Sequence, residues 1–303
     1  MKALVIGYGS IGQRHARLLG EMGLDVAVVS RRDIEFANVA SSIESALRDW
    51  QPQYVVIASQ THEHYDDLSR LAANGFNGTL LVEKPLFAVP TEIPRHAFAK
   101  VGIAYQMRFL SILQSLRERL AGKRVFAVNA YVGQFLPDWR PHTDYREGYS
   151  AIKNQGGGVL RDLSHELDYL TWLFGGWDEL TAVGGNFSDL EINSDDVFSI
   201  LFRAQRCPAV TVHMNYLHHE LRRDVTVLYE DGTAVVDFVS GTLSINGKVD
   251  TFTYERDTPY LAQHQAMLSN GDDSYCTLEE GLTVTAMIAA AERASANHTW
   301  AKS

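Results

Sequence analysis

Three side chains in this sequence are of types that move protons, and their settings would aim them. Lys84 lies in Val82-Glu83-Lys84-Pro85, directly after a short apolar run. Pro85 biases Lys84 toward extended backbone, so its amine is directed and can exchange a proton with a substrate oxygen. Asp162 and His165 follow the run Gly156-Gly157-Gly158 and are three residues apart, a spacing that shares one face of a helix. An imidazole suits proton transfer near neutral pH, and a neighbouring carboxylate can orient it or bind a hydroxyl. Spacing alone leaves the plainer readings open: a solvated lysine-glutamate pair, and a helix cap beside a satisfied polar pair.

A second chemistry is written at the N-terminus, where Ala3 to Gly12 reads A-L-V-I-G-Y-G-S-I-G. The pattern joins a buried strand to G-x-G-x-x-G. Gly7 permits the turn, Gly9 lets backbone approach a pyrophosphate, and Gly12 lets the next helix pack on the sheet. Gly7, Tyr8, Gly9, Ser10, Ile11 and Gly12 are therefore dinucleotide-binding candidates, with the helix N-terminus facing the phosphates. After the second strand the chain reads Val29-Ser30-Arg31-Arg32, with no carboxylate for an adenosine ribose. Ser30, Arg31 and Arg32 suit a 2′-phosphate, which favours NADP over NAD, although Asp33 sits close by. The two arginines can equally be solvated loop charges.

Phe135 to Tyr149 mixes aromatics, arginines and prolines. Trp139 and Tyr145 could stack on a sugar ring or base, and Arg140 and Arg146 could clamp a carboxylate or phosphate. A subunit contact would use the same residue types. His62 with His64, and His218, His219 and Glu220, lack the geometry of a metal site, and none is expected.

These residues need elements to hold them. Apolar runs alternate with helical patterns up to about residue 106, predicting a doubly wound parallel sheet with strands at Ala3–Ile6, Val26–Val29, Tyr54–Ala58, Leu80–Val82 and Gly102–Tyr105. Helices are expected at Ile11–Leu19, Ser42–Asp49 and Glu63–Asn74. Residues 107–303 read as a second, α+β domain of successive strands from Val125 to Phe238, with turns at Asp231-Gly232 and Asn246-Gly247. One long amphipathic helix, Val159–Phe174, interrupts the strands, and another from Leu278 to about Ala294 closes the chain. The 303 residues carry a formal net charge of -10 and no basic block, so nucleic acid and anionic membranes are not expected partners. Two cysteines make no disulfide framework, and no signal peptide is visible; a cytoplasmic setting is expected.

Taken together, G-Y-G-S-I-G, E-K-P, Y-Q-M-R-F at 105–109, G-G-G-V-L-R-D-L-S-H and the closing Leu278–Leu282 resemble the glucose-fructose oxidoreductase, inositol dehydrogenase and MocA family over essentially the whole chain. The resemblance implies an N-terminal Rossmann domain, an open, mostly antiparallel C-terminal sheet, and hydride transfer between a nicotinamide and a secondary alcohol of a sugar, cyclitol or nucleotide-linked sugar. Lys84 matches the family's catalytic lysine, and Asp162 and His165 its helix-borne carboxylate and histidine. The family commonly spaces these last two by four; here Glu166 takes the usual histidine position, leaving His165 and Glu166 in competition. Ser59, Gln60 and Glu83 join the implied coenzyme contacts, His64 joins them only as a second-tier candidate behind a structural role, and Arg108 joins the substrate-binding set. A homodimer or homotetramer built on the broad sheet is also implied. Rival readings are NAD-assisted glycoside cleavage and a non-catalytic dinucleotide sensor.

Overall fold

Uninterrupted apolar runs build the first sheet. In the computed structural model, which describes every residue except 141–142, 270 and 272–273, β1 (Lys2–Ile6), β2 (Asp25–Val29), β3 (Val39–Ala40), β4 (Tyr54–Ile57), β5 (Thr79–Val82) and β6 (Lys100–Ile103) are parallel neighbours in the order β6-β5-β4-β1-β2-β3. Every residue of β4 is fully buried, as expected for a parallel strand covered on both faces. The helices α1 (Ser10–Glu21), α2 (Ile43–Ser45) and α3 (His64–Ala73) connect these strands. On α1 the buried face is Gly12, His15, Ala16, Leu18 and Leu19, a helical period with one histidine in it.

The second sheet has nine strands: β7 (Val125–Gly133), β8 (Glu179–Gly185), β9 (Val197–Ala204), β10 (Cys207–Asn215), β11 (Arg222–Tyr229), β12 (Gly232–Asp237), β13 (Thr242–Ile245), β14 (Lys248–Thr251) and, at one edge, β16 (Ala301–Lys302). All neighbours are antiparallel except β7 with β10. Burial alternates along β9, with Phe198, Ile200 and Phe202 buried and Ser199, Leu201 and Arg203 exposed. One face therefore packs on the core and the other is open. Asn246 and Gly247 both adopt positive φ, 50° and 85°, and turn β13 into β14. α4 (Ser111–Arg119) precedes this sheet.

Domain organisation departs from a single cut after residue 106. The chain forms two compact units, Met1–Phe109 with Arg256–Leu282, and Leu110–Glu255 with Thr283–Ser303. The returning segment belongs to the first unit because β15 (Cys276–Thr277) pairs antiparallel with β6, and α7 (Thr258–Leu268) buries Met267 in that unit's core. α8 (Leu278–Asn297) follows. Among the described residues no helix is long and apolar enough to cross a membrane.

The expected long helix is also corrected. It splits into α5 (Val159–Asp162) and α6 (His165–Phe174), with Leu163 and Ser164 outside both. It is not amphipathic either, since every residue from Val159 to Phe174 is buried. Its charged side chains are tolerated there because partners come from other elements of the second unit.

Candidate active site

The glycines at the start of the first unit divide by what they touch. A Cβ on Gly12 would lie 2.0 Å from the Gly7 carbonyl oxygen, and one on Gly7 (φ 93°) 2.6 Å from backbone of Ala58 and Ser59. Both are fixed by packing. A Cβ on Gly9 would meet nothing within 4 Å, and Gly9 caps α1 without any side-chain hydrogen bond. Open space beside an uncapped helix N-terminus fits a dinucleotide's phosphates, because the first N–H groups of the helix need acceptors. Ser10 and Ile11 open that helix, and Tyr8 packs edge-on against Phe36 with centroids 5.5 Å apart.

At the end of β2, Ser30 Oγ accepts from the Arg32 N–H at 3.0 Å, while Arg31, 77% exposed, pairs with Glu63 at 2.5 Å. The Arg31 charge thus already has a carboxylate beside it. Ser59 Oγ donates to Asp67 at 2.7 Å, and burial raises the Asp67 carboxyl above its ordinary range. Gln60 caps the turn Thr61–Glu63 through a reciprocal bond with Glu63.

His64 takes the structural role, and Glu83 is internal too. His64 is 1% exposed; its Nε2 faces the Ser59 carbonyl at 3.1 Å and its Nδ1 the carbonyls of Pro85 and Leu86 at 3.1 and 3.2 Å. Burial holds it below its ordinary pKa. Its ring ties the loop after β4 to the loop after β5. Glu83, also buried, accepts from His15 Nε2 at 2.9 Å and from the Lys84 N–H at 3.1 Å. Burial pushes its carboxyl up, but His15 and Lys84 outweigh it and keep the group below the usual range. Lys84 itself sits half-buried at the carboxyl end of β5, where open α/β sheets bind ligands, and the Lys84–Pro85 peptide is cis.

Arg108 is corrected as a substrate ligand. It is 1% exposed and donates to Glu280 at 2.8 Å and to the Tyr275 carbonyl at 3.4 Å within the first unit, so its charge is already matched.

In the second unit the glycine run is a tight crossing rather than a flexible loop. A Cβ on Gly157 would lie 2.1 Å from the Tyr149 carbonyl, and one on Gly158 (φ 118°) 2.3 Å from Asp195 Oδ1. Asp195 then accepts from the Leu160 N–H at 3.0 Å and anchors the start of α5. Asp162 and His165 lie on either side of the Leu163–Ser164 break, so the continuous helical face expected for them is interrupted. Asp162 accepts from Tyr216 Oη at 2.6 Å and also engages Tyr149. Burial, then the Asp162 charge, pushes both phenols well above their ordinary pKa, so both stay protonated donors. Trp139 meets Tyr216 edge-on at 5.2 Å, and the Arg140 charge acts on Tyr149. Trp139, Arg140, Tyr149, Asp162 and Tyr216 thus form one cluster. Tyr149 and Tyr216 were missed because a lone tyrosine carries no spacing signal.

Glu166 does not compete with His165. Fully buried, it takes a bidentate pair from Arg223 at 2.6 and 2.8 Å. Arg146 and Tyr145 are drawn elsewhere: Arg146 pairs with Asp144 at 2.6 Å and Glu191 at 3.0 Å, and Tyr145 Oη accepts from the Glu191 N–H. With both carboxylates raising its pKa, Arg146 is no open anion clamp.

Residues 1–100 match a family described as "Oxidoreductase family, NAD-binding Rossmann fold", and residues 113–235 match "GFO/IDH/MocA C-terminal domain", together well over half of the chain. An uncharacterized oxidoreductase of Synechocystis sp. is 28% identical over 149 residues, 47% of this chain and 40% of that protein. Levoglucosan dehydrogenase in complex with NADH and levoglucosan aligns with TM-score 0.84 at 14% identity, covering 100% of this chain and 98% of the other. The WlbA dehydrogenase of Bordetella pertussis, in complex with NADH and UDP-GlcNAcA, aligns with TM-score 0.79 at 18% identity over 100% and 98%. At these identities the structures speak for the fold.

Proposed function

This chain belongs to the GFO/IDH/MocA oxidoreductase family, and from that premise we propose that it is a nicotinamide-dependent dehydrogenase acting on a secondary alcohol of a sugar or cyclitol, including sugars carrying a nucleotide. The observation that carries the reading lies in the first unit: an uncapped α1 N-terminus beside the open flank of Gly9, and Lys84 at the carboxyl edge of the same parallel sheet. A bound nicotinamide supplies the hydride acceptor. The chain's own residues supply the rest. Lys84 holds the reacting hydroxyl and takes its proton at Nζ. Asp162, kept in place by the Tyr216 and Tyr149 hydroxyls, orients a substrate hydroxyl, and His165 serves as proton relay. Trp139 offers an apolar ring face to a sugar.

A preference for NADP is supported by Ser30, Arg31 and Arg32 at the end of β2. Because Glu63 already pairs with Arg31, the expected preference is modest, about tenfold or about 1.4 kcal/mol. The open face of the nine-stranded sheet, with Phe126, Leu201 and Leu228 exposed, is the surface we assign to pairing with a second copy. The test is calorimetric titration with NADH and NADPH, then a screen of sugars, cyclitols and nucleotide sugars with the tighter coenzyme. Stoichiometric coenzyme reduction supports the dehydrogenase. Glycoside cleavage without net reduction, or coenzyme binding with no turnover in the whole screen, would favour the rival chemistries.

A further inference from the structure

Inside the first unit, four buried side chains from three elements and the loop after β5 are joined end to end. Tyr54 Oη on β4 lies 2.8 Å from His264 Nδ1 on α7. His264 Nε2 lies 2.9 Å from His15 Nδ1 on α1. His15 Nε2 lies 2.9 Å from Glu83 Oε1, after β5. Tyr54, His264 and His15 are all 0% exposed. The carboxylate closes the chain with its other oxygen, which accepts the Lys84 N–H at 3.1 Å.

Proton counting gives the row a direction. Glu83, held below the carboxylate range, is an acceptor only, so His15 must present Nε2–H to it. His264 is buried and lowered well below its ordinary pKa by burial and then by His15, so it is neutral with a single N–H. Tyr54, raised by burial, keeps its O–H. The arrangement that satisfies every atom is Tyr54 O–H to His264 Nδ1, His264 Nε2–H to His15 Nδ1, and His15 Nε2–H to Glu83. Each ring nitrogen is used once.

We propose that Tyr54, His264 and His15 form a one-way buried relay of hydrogen bonds that fixes the Glu83 carboxylate and, through it, the backbone that carries Lys84. His264 and Tyr54 are then positioning residues for that lysine. The role assigned to Lys84 rests on the proposed function, but the relay itself does not. Other ionisable groups facing the row are Tyr260, edge-on to His15 at 6.0 Å, Arg14 over the Tyr260 ring, Arg256, which acts on Tyr260, and His64, which feels the Glu83 charge. None of them replaces a member of the row.

His264→Gln preserves the polarity, because an amide oxygen can accept from Tyr54 and an amide N–H can donate to His15 Nδ1. His264→Leu breaks it, and Tyr54→Phe removes only its first donor. The substrate-free readout is trace acetylation of the intact protein by acetic anhydride, scored by mass spectrometry as the Lys84 rate relative to Lys123. Lys84 should label at least about threefold faster in His264→Leu, and at close to the wild-type ratio in His264→Gln, because the N–H···N bond to His15 is kept in one and lost in the other. Histidine ¹⁵N shifts of the wild type should show His264 neutral with its proton on Nε2. If His264→Leu does not fold, Tyr54→Phe carries the labelling test, with a smaller rise expected. Equal Lys84 ratios in all folded variants, or His264 protonated on Nδ1, would overturn the relay. Persisting turnover in Lys84→Met would overturn the role of the lysine alone and leave the relay to be judged by labelling and tautomer.

Discussion

The two units satisfy buried polar groups in different ways. The first strings Tyr54, His264, His15 and Glu83 into one row, each group depending on the next. The second also holds matched buried pairs, Glu166 with Arg223 and Arg161 with Glu292 at 2.8 Å. A row passes a disturbance along, whereas a closed pair keeps it in place. The row ends at the backbone of Lys84, whereas Glu166 with Arg223 and Arg161 with Glu292 are matched pairs.

The sharpest way to break this contrast is at its end point. Lys84→Met should lower kcat by roughly 10²- to 10⁴-fold, the usual range for a lost acid-base group, with NADH and NADPH affinities unchanged by calorimetry. An unchanged kcat would strip the row of its purpose. In the other unit, Arg223→Ala leaves the Glu166 charge buried without its counter-ion, and should cost about 3–5 kcal/mol in urea unfolding. The double variant Glu166→Gln, Arg223→Met should recover much of that loss, as expected of a closed pair.

The pH dependence of stability sharpens the comparison further. His264 and His64 have folded pKa values depressed by burial, so their contribution is present above the unfolded value near 6.5 and is lost as pH falls below it, when only the unfolded chain takes up the proton. Between pH 6 and 5 His264→Gln should show a shallower fall than the wild type, by up to about 1.4 kcal/mol per pH unit for one proton. An equal slope would mean that His264 charges freely in the folded state. The smallest effect belongs to the surface: Arg146→Ala should leave the urea midpoint nearly unchanged, since its partners Asp144 and Glu191 are solvent-facing, and should leave sugar affinity unaltered.

Legibility followed burial symmetry. β1, β2, β4 and β5 could be read because strands covered on both faces are continuous apolar runs, and β7 to β12 because one-sided strands alternate. β6 was placed about two residues late because Gly102 sits inside it, where a Cβ would press on Met267 at 2.4 Å. α7 was missed altogether. Its buried positions include Gln263 and His264, so its inward face carries no apolar period. The break between α5 and α6 was hidden because an all-buried segment has no polar face whose phase could slip. In the site, Lys84 and the glycines carried spacing signals, while His15 carried another kind: one imidazole on an otherwise apolar helix face. Arg108 misled because charge is visible in sequence and the carboxylate that cancels it, Glu280, lies far along the chain; for Arg146 the main partner, Asp144, is only two residues away, and the pairing was overlooked rather than hidden.

The return of residues 256–282 to the first unit sets an order of assembly. A fragment ending near residue 106 lacks β15 at the sheet edge and lacks His264, so Tyr54 and His15 would be left facing each other across an empty berth. During synthesis the coenzyme-binding unit therefore reaches its final form only after residues up to about 282 have left the ribosome, by which point most of the second unit's chain is already available to fold.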